Sequence, residues 1–240
     1  MFKLKKIISV VTLIFIVSAL MLCVFVKEKK INLVELLNVP NVSLAIDKTK
    51  VNYLSEDDVN NNLDLVLINK SNLLKDDVQV DLIKLSNGEY VNSHIYPSLQ
   101  KMFNDARAAG IYPNVHSGYR SFERQKELYD AKYNELIRDG YSKSDATQET
   151  ESWVAVPGSS EHQLGIAIDI NADKNRSSND KVYNWMSKNA HLYGFILRYP
   201  ESKIDITGVN YEPWHFRYVG IENATKIYES GLSLEEYLKC

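Results

Sequence analysis

The chain has 240 residues, 45% of them hydrophobic, with 28 Lys and Arg against 31 Asp and Glu for a net charge of −3. That length can bury a core without disulfide staples, and the near-balanced charge excludes a general nucleic-acid binder. The two cysteines, Cys23 and Cys240, form no CxxC pattern and are badly placed for a structural disulfide, so a bound metal would need His, Asp or Glu ligands.

At the N-terminus, Lys3, Lys5 and Lys6 precede an uncharged stretch from Ile7 to Val26, and Lys27, Lys29 and Lys30 follow it. A run of roughly 20 apolar residues can cross a bilayer as a helix. No small-x-small cleavage exit is visible, and Leu22 before Cys23 argues against a lipoprotein. Residues 1–30 are therefore expected to be an uncleaved transmembrane anchor with its short basic end in the cytoplasm. A cleaved signal is the competing reading, and either one exports the remainder. Residues 31–62, ending in the polar "SEDDVNNN", read as a stalk. The folded domain is expected over 63–240, opening with "LDLVLINK" (Leu63 to Lys70) as a buried strand.

Leu99, Met102, Phe103 and Ala106 recur at helical spacing between Pro97 and Ala109, before Gly110. "NVHSGYRS" reads as a strand running into a turn. Ser121 caps the next helix, on which Gln125, Leu128, Tyr129, Lys132, Tyr133 and Leu136 share a face until Gly140. A shorter helix follows Ser142, then the loop "VAVPGSSEH" and the β-branched strand "GIAIDI". Asn179 to Tyr193 reads as helix, with Val182, Trp185, Met186 and Tyr193 inward. "YGFILRYP" and "EPWHFRYVG" read as strands, and Ser233 with Glu236 forms a capping box for a final helix. Short strands mixed with irregularly spaced helices indicate an α+β fold rather than a doubly wound sheet.

Five histidines are candidates for chemistry. His191 and His94 read as structural, and His116 as at most a supporting residue. His162 and His215 differ, because Asp169 follows the first by seven residues and Glu212 precedes the second by three. Two imidazoles and one carboxylate make a catalytic zinc set with a fourth position for water, whose pKa the metal lowers to near 7. A second carboxylate can then move the proton, and Glu212 suits that work. The competing reading is two unrelated hydrogen-bonding histidines. Strict strand alternation would put Glu212 and His215 on opposite faces, so a shared cavity requires a bend between them. Arg120 is either a salt-bridged turn residue or a fork for a carboxylate or developing oxyanion.

Three segments, "SGYRSFERQ", "PGSSEHQLGIAID" and "EPWHFRYVG", together resemble the VanY-type D-Ala-D-Ala carboxypeptidases. The S-x-H-x-x-G-x-A-x-D pattern falls on Ser160, His162, Gly165, Ala167 and Asp169; E-x-W-H falls on Glu212, Trp214 and His215; Y-R-S-x-x-x-Q falls on Tyr119, Arg120, Ser121 and Gln125. The resemblance covers about residues 63 to 238. It implies a Hedgehog/D,D-peptidase-like α+β domain with a small antiparallel sheet and flanking helices. It implies one zinc ion held by His162, Asp169 and His215, with Glu212 as general base and acid. Arg120 would hold substrate or the oxyanion, and Ser160 and Gln125 would belong to the substrate pocket. The implied reaction removes terminal D-Ala from peptidoglycan stem peptides at the outer face of the cell membrane, serving either vancomycin resistance or ordinary wall trimming. An L,D-carboxypeptidase trimming tetrapeptide stems and a non-catalytic zinc-containing binding module remain the alternatives.

Overall fold

The computed structural model describes residues 51–75 and 78–239. The described chain opens with β1 (Asn52–Leu54), helix α1 (Glu56–Asn61), β2 (Asn72–Leu74), β3 (Leu82–Lys84) and β4 (Tyr90–Asn92). Helix α2 (Tyr96–Ala108) leads to β5 (Pro113–Ser117), then to helices α3 (Phe122–Arg138) and α4 (Lys143–Glu151). A 3-10 turn (Glu161–Leu164) precedes β6 (Ala167–Ala172), and α5 (Asn179–Asn189), β7 (Phe195–Leu197) and α6 (Ile204–Thr207) follow. The chain closes with β8 (His215–Tyr218), α7 (Ile221–Ser230) and α8 (Leu234–Tyr237).

The main sheet is antiparallel throughout, in the order β5-β6-β8-β7. Alternation decides its two faces. Ile168 and Ile170 of β6 and Phe216 and Tyr218 of β8 turn into the core, where residues of α2 (Leu99, Met102) and α5 (Val182, Met186) meet them. Asp169 of β6 and His215 and Arg217 of β8 occupy the alternate positions. The register pairs Ile168 with Phe216 and Asp169 with His215. Residues directly opposite on one face are neighbours, so the same alternation that buries the core brings a carboxylate to an imidazole. Burying Ile168 or Phe216 stabilises the fold by about 1.5–3 kcal/mol each.

Helix expectations hold with small changes. The Ser121 side chain accepts from the Arg124 N–H, and Gln125, Tyr129, Tyr133 and Leu136 are the buried face of α3. The helix expected over 179–193 is α-helical to Asn189 and tightens to a 3-10 turn before Gly194, whose φ of 87° ends it. Ser233 and Glu236 make the expected capping box. Helix α7, between β8 and α8, is an addition to the sequence reading.

Two expectations change. "LDLVLINK" is not a strand between Leu63 and Ile68, and the Arg217 guanidinium takes the place of a neighbouring strand. Its Nη2 donates to the carbonyls of Leu63, Asp64 and Val66 at 3.1–3.2 Å. Buried carbonyls must find a donor, and one arginine fork supplies it. The expected stalk also gives way to structure before its end. β1 pairs in parallel with β2, and α1 begins with a Ser55–Asp58 capping box and buries Val59 in the core. The expected membrane anchor, residues 1–30, and stalk residues 31–50 lie outside the described residues. Among the described residues no helix is long and apolar enough to cross a membrane.

Candidate metal centre

His162 sits in the 3-10 turn that leads into β6 and is buried. Its Nδ1 lies 2.7 Å from the Gly118 carbonyl oxygen. A carbonyl can only accept, so Nδ1 carries the proton and Nε2 presents its lone pair. That Nε2 is buried without a hydrogen-bond partner among the described residues and lies 3.4 Å from Asp169 Oδ1. Glycine is required at 118, because a Cβ there would stand 2.0 Å from the Tyr90 carbonyl oxygen. Gly165 ends the turn at φ 65°, where a Cβ would stand 2.8 Å from the Asn92 nitrogen.

Asp169 and His215 face each other across β6 and β8. Asp169 Oδ1 is 3.2 Å from His215 Nδ1, while Oδ2 accepts from Arg120 Nη2 at 3.2 Å. Like His162 Nε2, Asp169 Oδ1 is buried without a hydrogen-bond partner among the described residues. One ligand atom from each of His162, Asp169 and His215 lies within 4.8 Å of the others. Two imidazoles and one carboxylate, converging with His162 Nε2 and Asp169 Oδ1 unpartnered among the described residues, fit a tetrahedral divalent cation with one position open.

The bend that Glu212 needs is supplied by a turn. The His215 N–H donates to the Glu212 carbonyl at 3.2 Å, with Pro213 at the position where proline pre-sets φ. Glu212 thus precedes β8 instead of alternating within it, and its Oε2 lies 3.4 Å from His215 Nδ1. Burial pushes the Glu212 carboxyl up to about 7; His215 and Arg120 oppose this, and Asp169 and Glu161 add to it. A carboxyl poised there is suited to moving protons near neutral pH. Burial also pulls His162 down to about 4. For His215 burial acts downward too, but the Asp169 and Glu161 carboxylates outweigh it and hold the ring up at about 9.

Arg120 lies at the turn before α3, where its backbone N–H donates to the His162 carbonyl at 3.1 Å. Its Nη1 donates to Gln125 Oε1 at 3.0 Å, and Gln125 Nε2 donates to the Ala155 carbonyl at 2.7 Å. Gln125 therefore aims the guanidinium. Ser160 lines the wall of a cavity of about 620 Å3 that also includes Arg120, Trp153, Tyr199, Glu212 and the three clustered residues. All seven residues singled out by sequence gather here, six on the cavity wall and Gln125 behind Arg120. His94 pairs with Asp64, His191 stacks on Tyr228 and His116 is exposed, so these three stand apart.

Sequence reasoning missed a buried ionic block behind His215. Glu161 Oε1 accepts from Arg198 Nε at 2.8 Å and Arg217 Nη1 at 3.0 Å, and Arg198 also grips Glu235 with both terminal nitrogens at 2.6 and 2.9 Å. The signal was present: "FILRY" and "HFRYV" each place an arginine in an apolar, aromatic stretch, and a buried arginine demands a buried carboxylate. The two guanidiniums hold Glu161 well below the usual carboxylate range, against the burial that would raise it.

A family model described as VanY, D-alanyl-D-alanine carboxypeptidase, matches residues 88–221. A D-alanyl-D-alanine carboxypeptidase of Enterococcus faecalis is 54% identical over 174 residues, which is 72% of this chain and 65% of the relative. This chain thus spans slightly under two thirds of that relative's length. The solved structure of VanYB in complex with D-alanine-D-alanine aligns with a TM-score of 0.72 at 53% identity, covering 74% of this chain and 98% of that one. A VanY D,D-pentapeptidase mutant from a VanB-type resistance cassette, in complex with Zn(II), aligns with a TM-score of 0.70 at 53% identity, covering 73% and 98%. The motifs, the convergent His162–Asp169–His215 group and these matches lead to one conclusion: the chain belongs to the VanY family of D-alanyl-D-alanine carboxypeptidases.

Proposed function

We propose that this chain is a zinc-dependent D,D-carboxypeptidase that removes the terminal D-Ala from peptidoglycan stem peptides ending in D-Ala-D-Ala. The observation that carries the reading is the Glu212 carboxylate, 3.4 Å from His215 Nδ1 at the edge of the His162–Asp169–His215 group. His162, Asp169 and His215 would hold the zinc, which would supply a Lewis acid and make the attacking water more acidic. Glu212 takes the proton from the attacking water and returns it to the amine of the departing D-Ala. Arg120, aimed by Gln125 and Asp169, neutralises the oxyanion that develops on the peptide carbonyl. Ser160, on the cavity wall, meets the terminal carboxylate of the substrate.

The apolar stretch Ile7 to Val26, flanked by lysines, supports a single membrane anchor that keeps the domain outside the cytoplasm near wall precursors. Removing the terminal D-Ala destroys the ending that vancomycin binds, which supports a contribution to resistance. The test is a side-by-side assay of pentapeptide and tetrapeptide stems, with and without a chelator. The reading expects D-Ala release from the pentapeptide alone, lost on chelation and restored by Zn(II). Preference for the tetrapeptide would make the enzyme an L,D-carboxypeptidase instead, and chelator-insensitive turnover would overturn the zinc chemistry.

A further inference from the structure

Two buried atoms behind the metal group face each other. Glu161 Oε2 and His215 Nε2 both lack a hydrogen-bond partner among the described residues, and they lie 3.6 Å apart. The other carboxylate oxygen, Oε1, is occupied by Arg198 and Arg217. Glu161 therefore cannot turn away from His215 without abandoning two guanidiniums. Arg198 is held in its turn by Glu235, on the four-residue helix α8 that the Ser233–Glu236 capping box starts. Arg217 is held by the carbonyls of residues 63, 64 and 66. The block contains two carboxylates and two guanidiniums, so it is neutral as a unit and every member is tied.

We propose that Glu161 is the positioning residue for His215: it accepts the Nε2 proton, so that Nδ1 and not Nε2 faces the metal, and α8 is tied into the same device through Glu235. A carboxylate accepts at both oxygens, which is what this position demands. The arginines need an acceptor on one side and the imidazole N–H needs one on the other. Glutamine offers only one accepting end. With its oxygen toward the arginines it would turn its NH2 toward His215 and favour the ring state that presents the Nε2 lone pair backwards. A partner of this kind typically governs metal affinity by about 10- to 100-fold.

The inference rests on the zinc reading of the His162–Asp169–His215 group, and the experiment separates the two. Detergent-solubilised full chain is stripped of metal, and Zn(II) affinity is measured by competition with a chromophoric chelator for the wild type, Glu161→Gln, Glu235→Gln and the surface control Glu222→Gln. Nitrogen-15 histidine spectra are recorded on the zinc-loaded wild type. Expected are a loss of about 10- to 100-fold for Glu161→Gln, a smaller loss for Glu235→Gln and none for Glu222→Gln. The spectra should show His215 protonated at Nε2 and bound through Nδ1. A purely structural Glu161 would lower the melting temperature and leave affinity unchanged, and that result would overturn the proposal. Binding through Nε2 in the wild type would overturn it even if neither buried variant folds. A wild type that takes up no Zn(II) would instead defeat the zinc reading itself.

Discussion

His162 and His215 serve one group, yet the protein holds them by opposite means. His162 is fixed by a neutral backbone carbonyl, that of Gly118, and burial pulls its ring down to about 4. His215 is backed by Asp169 on one side and the Glu161 carboxylate on the other, which outweigh burial and hold it up at about 9. The first anchor is steric: a close backbone approach, 44 positions away in the chain, that only glycine permits. The second is electrostatic, assembled from charged residues 37 and 56 positions away from their partners. A backbone anchor resists changes of charge but not of volume, and an ionic anchor behaves the other way round.

The largest effect should lie between the two anchors. Glu212→Ala should lower turnover by about 10²- to 10⁴-fold with zinc content unchanged, because both imidazoles keep their supports; steady-state kinetics and metal analysis on one sample read both. Arg217→Met should break the ionic anchor. It leaves Glu161 buried with one cation and strips the carbonyls of residues 63, 64 and 66, at a cost of about 3–5 kcal/mol in denaturant unfolding. Unfolding at the wild-type midpoint would mean that the block adds nothing to the fold. Gly118→Ala should break the backbone anchor through overpacking against the Tyr90 carbonyl, costing about 1–3 kcal/mol. Its zinc affinity should fall as well, and an unaffected affinity would show that His162 needs no such support. Ser233→Ala should cost about 1 kcal/mol by removing the cap of α8, with the His162 side untouched; urea titration of the two proteins compares them.

The candidate metal-binding face was legible because its residues fall in the short motifs that carry the family resemblance, whereas spacing alone left two unrelated histidines as a competing reading. His162 and Asp169 are seven apart and Glu212 and His215 three apart, and turn and strand geometry at those distances is local. Pro213 starts the turn that puts both side chains of the last pair on one side. The ionic anchor was not legible, because nothing periodic links Glu161 to Arg198, Arg217 and Glu235. "LDLVLINK" was misread for a related reason. A short apolar run signals burial but not what satisfies its backbone, and here a distant guanidinium does so. Helix α1 was hidden because Val59 is its sole buried residue, although Ser55 and Asp58 carried a capping-box signature.

The pairing of Asp169 with His215 also acts as a proofreading device. Neighbouring positions on β6 belong to opposite faces, so a slip of one residue against β8 would drive the Asp169 carboxylate into the core and turn Ile168 and Ile170 into the polar face that carries His215 and Arg217. That mistake is far too costly to be populated. The hydrophobic core thus secures the fidelity of the candidate metal-binding face, and a correctly folded sheet already sets Asp169 opposite His215.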